Sequence, residues 1–189
     1  MDAVAPDSSN MVRLGIFLSV LLFFIVIESI LPARKRALPR LARWRTNLSL
    51  SVLGSVTGAL MSPVLAISVA AIATTQGWGL FNILSIDPWI EAAIAIILLD
   101  FAIWAQHVAF HYVPWLWRLH SVHHTDRDLD ATSGVRFHPI EIAISLLWKA
   151  LVILALGPSI LAVLIFEIVL NATAIFTHSN ISLPPKLDR

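Results

Sequence analysis

Six of the chain's seven histidines lie between Asp100 and Glu141, and their spacing is that of a metal site. His107 and His111 are four residues apart in QHVAFH. On a helix, both imidazoles would project from one face about one turn apart, close enough to bind one ion or one each of a pair. His120, His123 and His124 in HSVHH recur at i, i+3 and i+4, again one face of one turn. His138 stands before Pro139, and His178 closes a later apolar stretch. The chain has no cysteine, which excludes disulfides, thiolate zinc sites and protein-bound iron–sulfur clusters. Any metal must therefore sit on nitrogen and oxygen ligands. Imidazole-rich sets suit Fe, Zn or Cu over Mg or Ca, and this many histidines exceed the needs of one ion and fit two. A pair of non-haem irons can activate O2 and take hydrogen from an unactivated C–H bond.

Other polar residues stand where they could support such a site. Asp100 is seven residues before His107, two turns deeper on the same stripe. An ionisable group at that depth is a functional candidate, either as a ligand or as an acceptor for a ligand histidine's N–H; a helix–helix hydrogen bond is the alternative. Glu141 falls in the first turn after Pro139, where a carboxylate either stabilises the helix terminus or orients a ligand. Asn171 and Glu167 lie seven and eleven residues before His178, on its helical stripe. Asp126, Asp128 and Asp130 read as a solvated loop with Arg127 and Arg136 as partners.

The elements that must position these residues are membrane helices. Hydrophobic residues make up 58% of the chain and charged residues only 13%, against about 25% charged in soluble domains. Residues 1–11 read as a polar, disordered tail. Residues 12–31 form a first span, a retained anchor rather than a cleaved signal, because the run is long and its flank acidic. Residues 32–46 carry six basic residues, which mark the cytoplasmic face; lying between two spans, they are not a nucleic-acid site. Residues 47–74 are a second span and 75–88 an external loop. Spans at 89–106, 139–156 and 159–176 follow, the last two with a re-entrant hairpin as the alternative. In this topology, eleven of the thirteen basic residues lie inside, all but Arg13 and Lys149, and every histidine falls at a cytoplasmic helix end. The expected fold class is an all-α integral membrane protein, with four to five transmembrane helices and a cytoplasmic histidine-rich metal cluster. Its N-terminus lies outside. The units are the tail (1–11), the N-terminal helices with the basic loop (12–88), and the histidine-bearing domain (89–189).

HVAFH, HSVHH, RFHPIE and the late THSN together resemble the sterol desaturase / fatty acid hydroxylase superfamily of membrane histidine-box oxygenases, in the form of its bacterial members and, more distantly, alkylglycerol monooxygenase. The resemblance is sharpest over residues 100–180. It implies a two-iron site on His107, His111, His120, His123, His124, His138 and His178, with zinc as a substitute occupant. Catalysis would centre on the first five, with Asp100, Glu141 and Asn171 behind the ligands. It also implies O2-dependent hydroxylation or desaturation of a fatty acyl, sterol or ether lipid drawn from the bilayer, with electrons from a cytoplasmic reductase, in a bacterial inner membrane. The family's third box, another H-x-x-H-H beyond the HSN segment, does not occur before Arg189; a fragment or a truncated, catalytically incomplete homologue is the expectation there.

A histidine-based metal-binding or transport protein is the competing class. Transporters place ionisable ligands near the bilayer midplane. Here the ligands crowd one interface, and only Asp100, Lys149, Glu167 and Asn171 lie deep.

Overall fold

The computed structural model describes residues 6–184 and 186, with side chains from Met11 onward. All regular elements among them are helices: α1 (Pro6–Ile30), α2 (Arg40–Leu60), α3 (Ala66–Gln76), α4 (Leu80–Ile83), α5 (Pro88–Tyr112), α6 (Pro114–His124), α7 (Pro139–Leu156) and α8 (Ile160–His178). Four of them, α1 from Met11, α5, α7 and α8, are long and apolar enough to cross a membrane. They form a bundle in which α8 packs on α1, α3 and α5, and α7 on α2, α3 and α5. The core between them is built from Ala66, Ile67, Ala70, Leu99, Ile153 and Phe166, all nearly inaccessible. Large apolar side chains also line the outside, among them Leu18, Leu22 and Val26 on α1 and Ile97, Phe101 and Trp104 on α5. Such a surface is stable against lipid and not against water.

Proline sets the breaks. The residue before a proline is driven out of the helical region, while the proline itself can start a helix. Val113 is extended (φ −89°, ψ 116°) and Pro114 opens α6, so α5 and α6 fold against each other and bring HVAFH to HSVHH. Pro63 sits in a 3-10 turn, Ser62–Val64, and splits the expected second span into α2 and α3. Gly157 caps α7 in the left-handed region (φ 64°). It lies so close to Gly79 that a Cβ on Gly79 would sit 2.3 Å from the Gly157 nitrogen. This contact closes the bundle at the end away from the histidines.

Some boundaries differ from expectation. Helix α1 begins at Pro6, so half of the expected tail is helical; residues 1–5 lie outside the described residues, as do 185 and 187–189. The third span runs on to Tyr112 and the fifth to His178, because nothing in either sequence breaks the helix before the histidines. Helices α7 and α8 are each long and apolar enough for a full crossing.

The deep charges pair with each other. Glu167 on α8 accepts from Lys149 Nζ on α7 at 2.6 Å and from Arg13 on α1, so the two basic residues outside the segments expected to be cytoplasmic share one carboxylate. Glu28, fully buried near the end of α1, accepts from Arg40 Nη2 at 2.7 Å and from the backbone N–H of Ala131 at 2.9 Å.

Candidate metal centre

Helices α5 and α6 each present one pair of rings to the other. His107 and His111 Nε2 atoms are 3.1 Å apart, as are those of His120 and His124. Ring centroids across the helices are 4.7 Å for His107–His120 and 4.9 Å for both His111–His120 and His111–His124. One ligand atom from each of these four histidines falls within 4.8 Å of every other. Two imidazole nitrogens bound to one ion at about 2.1 Å stand roughly 3.0–3.4 Å apart, so the pairs within each helix already have ligand spacing. His123 sits 4.9 Å from the His124 ring, 4.6 Å from His178 on α8, and flat against Phe137 at 4.6 Å. The structure thus brings six of the seven histidines into one contiguous cluster.

The second nitrogen of each ring shows which atoms remain for a metal. His120 Nδ1 donates to Glu141 Oε1 at 2.6 Å. His123 Nδ1 donates to the carbonyl of Arg136 at 3.1 Å, and His178 Nδ1 to that of Ala174 at 2.7 Å. A carbonyl can only accept, so in His123 and His178 the neutral ring carries its proton on Nδ1 and leaves the Nε2 lone pair bare. Burial, reinforced by the neighbouring His178, pushes the His123 ring down to about 3, so it stays neutral and able to ligate. Glu141 Oε2, behind His120, is buried and has no hydrogen-bond partner among the described residues. Neutral rings, free Nε2 atoms and an unpartnered carboxylate oxygen fit a cation.

Three expected residues are not brought to the rings. His138 caps α7, its Nδ1 accepting the backbone N–H of Ile140 at 3.1 Å. With that nitrogen accepting, the neutral ring's proton is on Nε2, the opposite of the ligand tautomer. Asp100 is exposed, one residue past the buried Leu99, and has no side-chain hydrogen bond with the described residues. Asn171 donates to the Glu167 carbonyl of its own helix at 2.7 Å.

The acidic loop also departs from expectation. Asp126 and Asp130 are not solvated: both are held by Arg43 of α2, whose Nε and Nη2 reach Asp126 at 2.7 and 2.8 Å and whose Nη1 reaches Asp130 at 2.8 Å. Asn47, one turn on, donates to Asp126 Oδ2 at 2.8 Å and Thr132 Oγ1 at 2.9 Å. Burial alone would raise the Asp126 carboxyl, but the hydrogen bonds from Arg43, Ser133 and Asn47 and the Arg43 charge hold it below the usual carboxylate range. Arg136, its carbonyl engaged by His123, donates to the Val122 carbonyl at 2.8 Å and to Asn47 Oδ1 at 3.0 Å. Gly134 packs against α8, where a Cβ would lie 2.8 Å from the Ala174 oxygen. The loop is a brace that fixes α6, α2 and α8 around His123 and His178. Arg43 and Asn47, at i and i+4 on α2, were the legible signal of a second polar face.

Residues 92–189, which include all seven histidines, match the family model described as Fatty acid hydroxylase. No curated protein and no solved structure matches the chain.

Proposed function

The chain belongs to the fatty acid hydroxylase family, within the sterol desaturase / fatty acid hydroxylase superfamily, and from that premise we propose that it is a membrane oxygenase that hydroxylates or desaturates a lipid at a non-haem two-iron centre. The family assignment and four potential membrane spans make it an integral membrane protein of a typically metal-dependent oxidoreductase type. The finer reading rests on one observation: six histidine rings converge with their Nδ1 atoms held from behind at His120, His123 and His178. His107, His111, His120 and His124 would hold one ion, and His123 of α6 with His178 of α8, which face each other at 4.6 Å, would contribute to a second. Bound iron would supply the reduction of O2. Hydroxylation then converts R–H, O2, two electrons and two protons to R–OH and water; desaturation removes two hydrogens from adjacent carbons and releases two waters.

The protein's own residues do the positioning. Glu141 keeps the His120 proton on Nδ1 and raises the basicity of the ligand nitrogen, a contribution of about 10–100-fold in metal affinity in comparable sites. The Arg136 and Ala174 carbonyls do the same for His123 and His178. The basic segment after α1 favours a cytoplasmic location for this end, where a reductase would deliver electrons, with the N-terminus outside and a bacterial inner membrane as the setting. A transport role has less support, because Glu167, Lys149 and Arg13 are engaged with one another rather than open to a pathway.

The test is expression of the chain with a ferredoxin and its reductase under 18O2, followed by mass spectrometry of total lipid. One 18O per product, or a loss of two hydrogens, absent with His120→Ala, is the expected result. A fully metallated, reduced protein that yields neither product contradicts the oxygenase reading and leaves a catalytically incomplete metal-binding homologue.

A further inference from the structure

Two openings meet at the last turn of α8. One, of about 820 Å³, lies at the histidine end; His123, His124 and His178 line it, together with the basic segment Arg34–Arg36 and Arg127. The other, of about 610 Å³, is a groove along the lipid-facing seam of α1 and α8, walled by Val20, Phe23, Phe24, Ala172 and Phe176. Phe176 lines the groove and Thr177, the next residue, lines the cavity, so the two adjoin on the last turn of α8. Both volumes fall in the range of small-molecule sites, about 300–1,000 Å³.

Their chemistries are opposite. Arg34, Lys35 and Arg127 make no ion pair or side-chain hydrogen bond with the described residues, and the carboxylates beside them are already engaged. Asp126 is held by Arg43, and Asp128 accepts the backbone N–H groups of Ala37 and Leu38 at 2.9 and 2.7 Å. The cavity lining carries four basic residues against two acidic ones, Asp126 and Asp128, and is net positive, whereas the groove beside it is apolar. A sterol or diacylglycerol would leave the cations unmatched. A single carboxylate would engage one of them, but a phosphate presents several charged oxygens to Arg and Lys donors at once.

We infer that the substrate is a phospholipid, its phosphate headgroup held by Arg34, Lys35 and Arg127 beside His123 and His178 and one acyl chain lying in the α1–α8 groove. The substrate role rests on the oxygenase reading; the binding does not. Because the groove leads from the histidine end toward Val20, the head-proximal carbons lie nearest the rings and the chain's methyl end points away. Oxidation falls on the head-proximal part of the chain.

Binding is tested on the purified, metal-free chain by native mass spectrometry of retained lipid, offering phosphatidylglycerol, diacylglycerol and oleic acid of matched chain length. Phosphatidylglycerol is retained preferentially, and the double variant Lys35→Ala/Arg127→Ala weakens its retention at least about ten-fold. Arg45→Ala, an exposed cation outside the cavity, leaves retention unchanged, and Ala172→Phe, which fills the groove, reduces it with the cations intact. Equal retention of phosphatidylglycerol and diacylglycerol, preference for oleic acid, or an equal loss with Arg45→Ala overturns the proposal; the first two comparisons use wild-type protein and need no variant to fold. Selective phospholipid retention without any oxidised product in the metallated, reduced protein leaves this site standing and removes the oxygenase reading instead.

Discussion

The Arg43 brace and the histidine cluster are two polar regions joined by the loop that follows α6, and they differ in how completely their groups are matched. In the brace, all three Arg43 nitrogens meet a carboxylate, and Asn47, Thr132 and Ser133 close the remaining gaps. One guanidinium and several neutral donors hold its two carboxylates within the fold, as buried ions require if they are to be tolerated. In the cluster, His120, His123 and His178 are anchored through Nδ1, and Glu141 Oε2 has no hydrogen-bond partner among the described residues. Buried polar groups are nearly always satisfied. The brace is matched within the fold, while the cluster keeps ring nitrogens and a carboxylate oxygen that could hold a cation.

The sharpest way to break this contrast is Arg43→Met, which leaves Asp126 and Asp130 buried without a counter-charge. Removing one partner of such a pair typically costs about 3–5 kcal/mol. The variant should show a large fall in unfolding temperature in detergent, with metal present or absent, and an unchanged melting curve would show that the brace is not structural. Glu141→Gln acts in the opposite way. It preserves the acceptor for His120 but removes the charge, so metal affinity should fall about 10–100-fold with little change in the metal-free melting temperature; competition with a chelator measures the first and calorimetry the second.

Acid distinguishes the regions further. Within the fold His123 stays neutral down to about pH 3, whereas in the unfolded chain it takes up a proton near pH 6.5. The unfolded state binds the extra proton, so this site costs stability as pH falls from 6.5 toward 3, by up to about 1.4 kcal/mol per unit, and nothing above 6.5. Melting of metal-free protein across that window should show the decline, and His123→Phe should make it shallower. The smallest effect belongs to His138. Replacing it with alanine removes a helix cap worth about 1 kcal/mol, His138→Asn restores the cap, and neither changes the amount of metal bound.

The comparison also explains what could be read from the chain alone. The apolar runs become helices because nothing else satisfies backbone groups in lipid, and the i, i+4 spacing of His107–His111 and His120–His124 fixes each pair locally. The turn that opposes the pairs was written in Val113-Pro114, where a proline can only end one helix and begin another. The brace was not legible in the same way, because Arg43 lies more than eighty residues from Asp126 and sequence spacing carries no information on that pairing. Asp100 shows the limit of stripe arguments. A seven-residue repeat drifts about 20° around a straight helix, and packing of α5 buries Leu99 and turns Asp100 outward. His138 was correctly seen as the residue before a helix-starting proline, and in the structure that place makes it a cap on α7.

The most direct test is the metal content of the purified chain loaded with Fe(II) without oxygen, measured by plasma mass spectrometry for wild type, the His120→Ala/His124→Ala double variant and His138→Ala. Close to two ions per chain in wild type and in His138→Ala, and one or none in the double variant, is the expected outcome. A wild-type chain that binds no metal, or a His138→Ala chain that loses as much as the double variant, would contradict a centre built from the six converging rings.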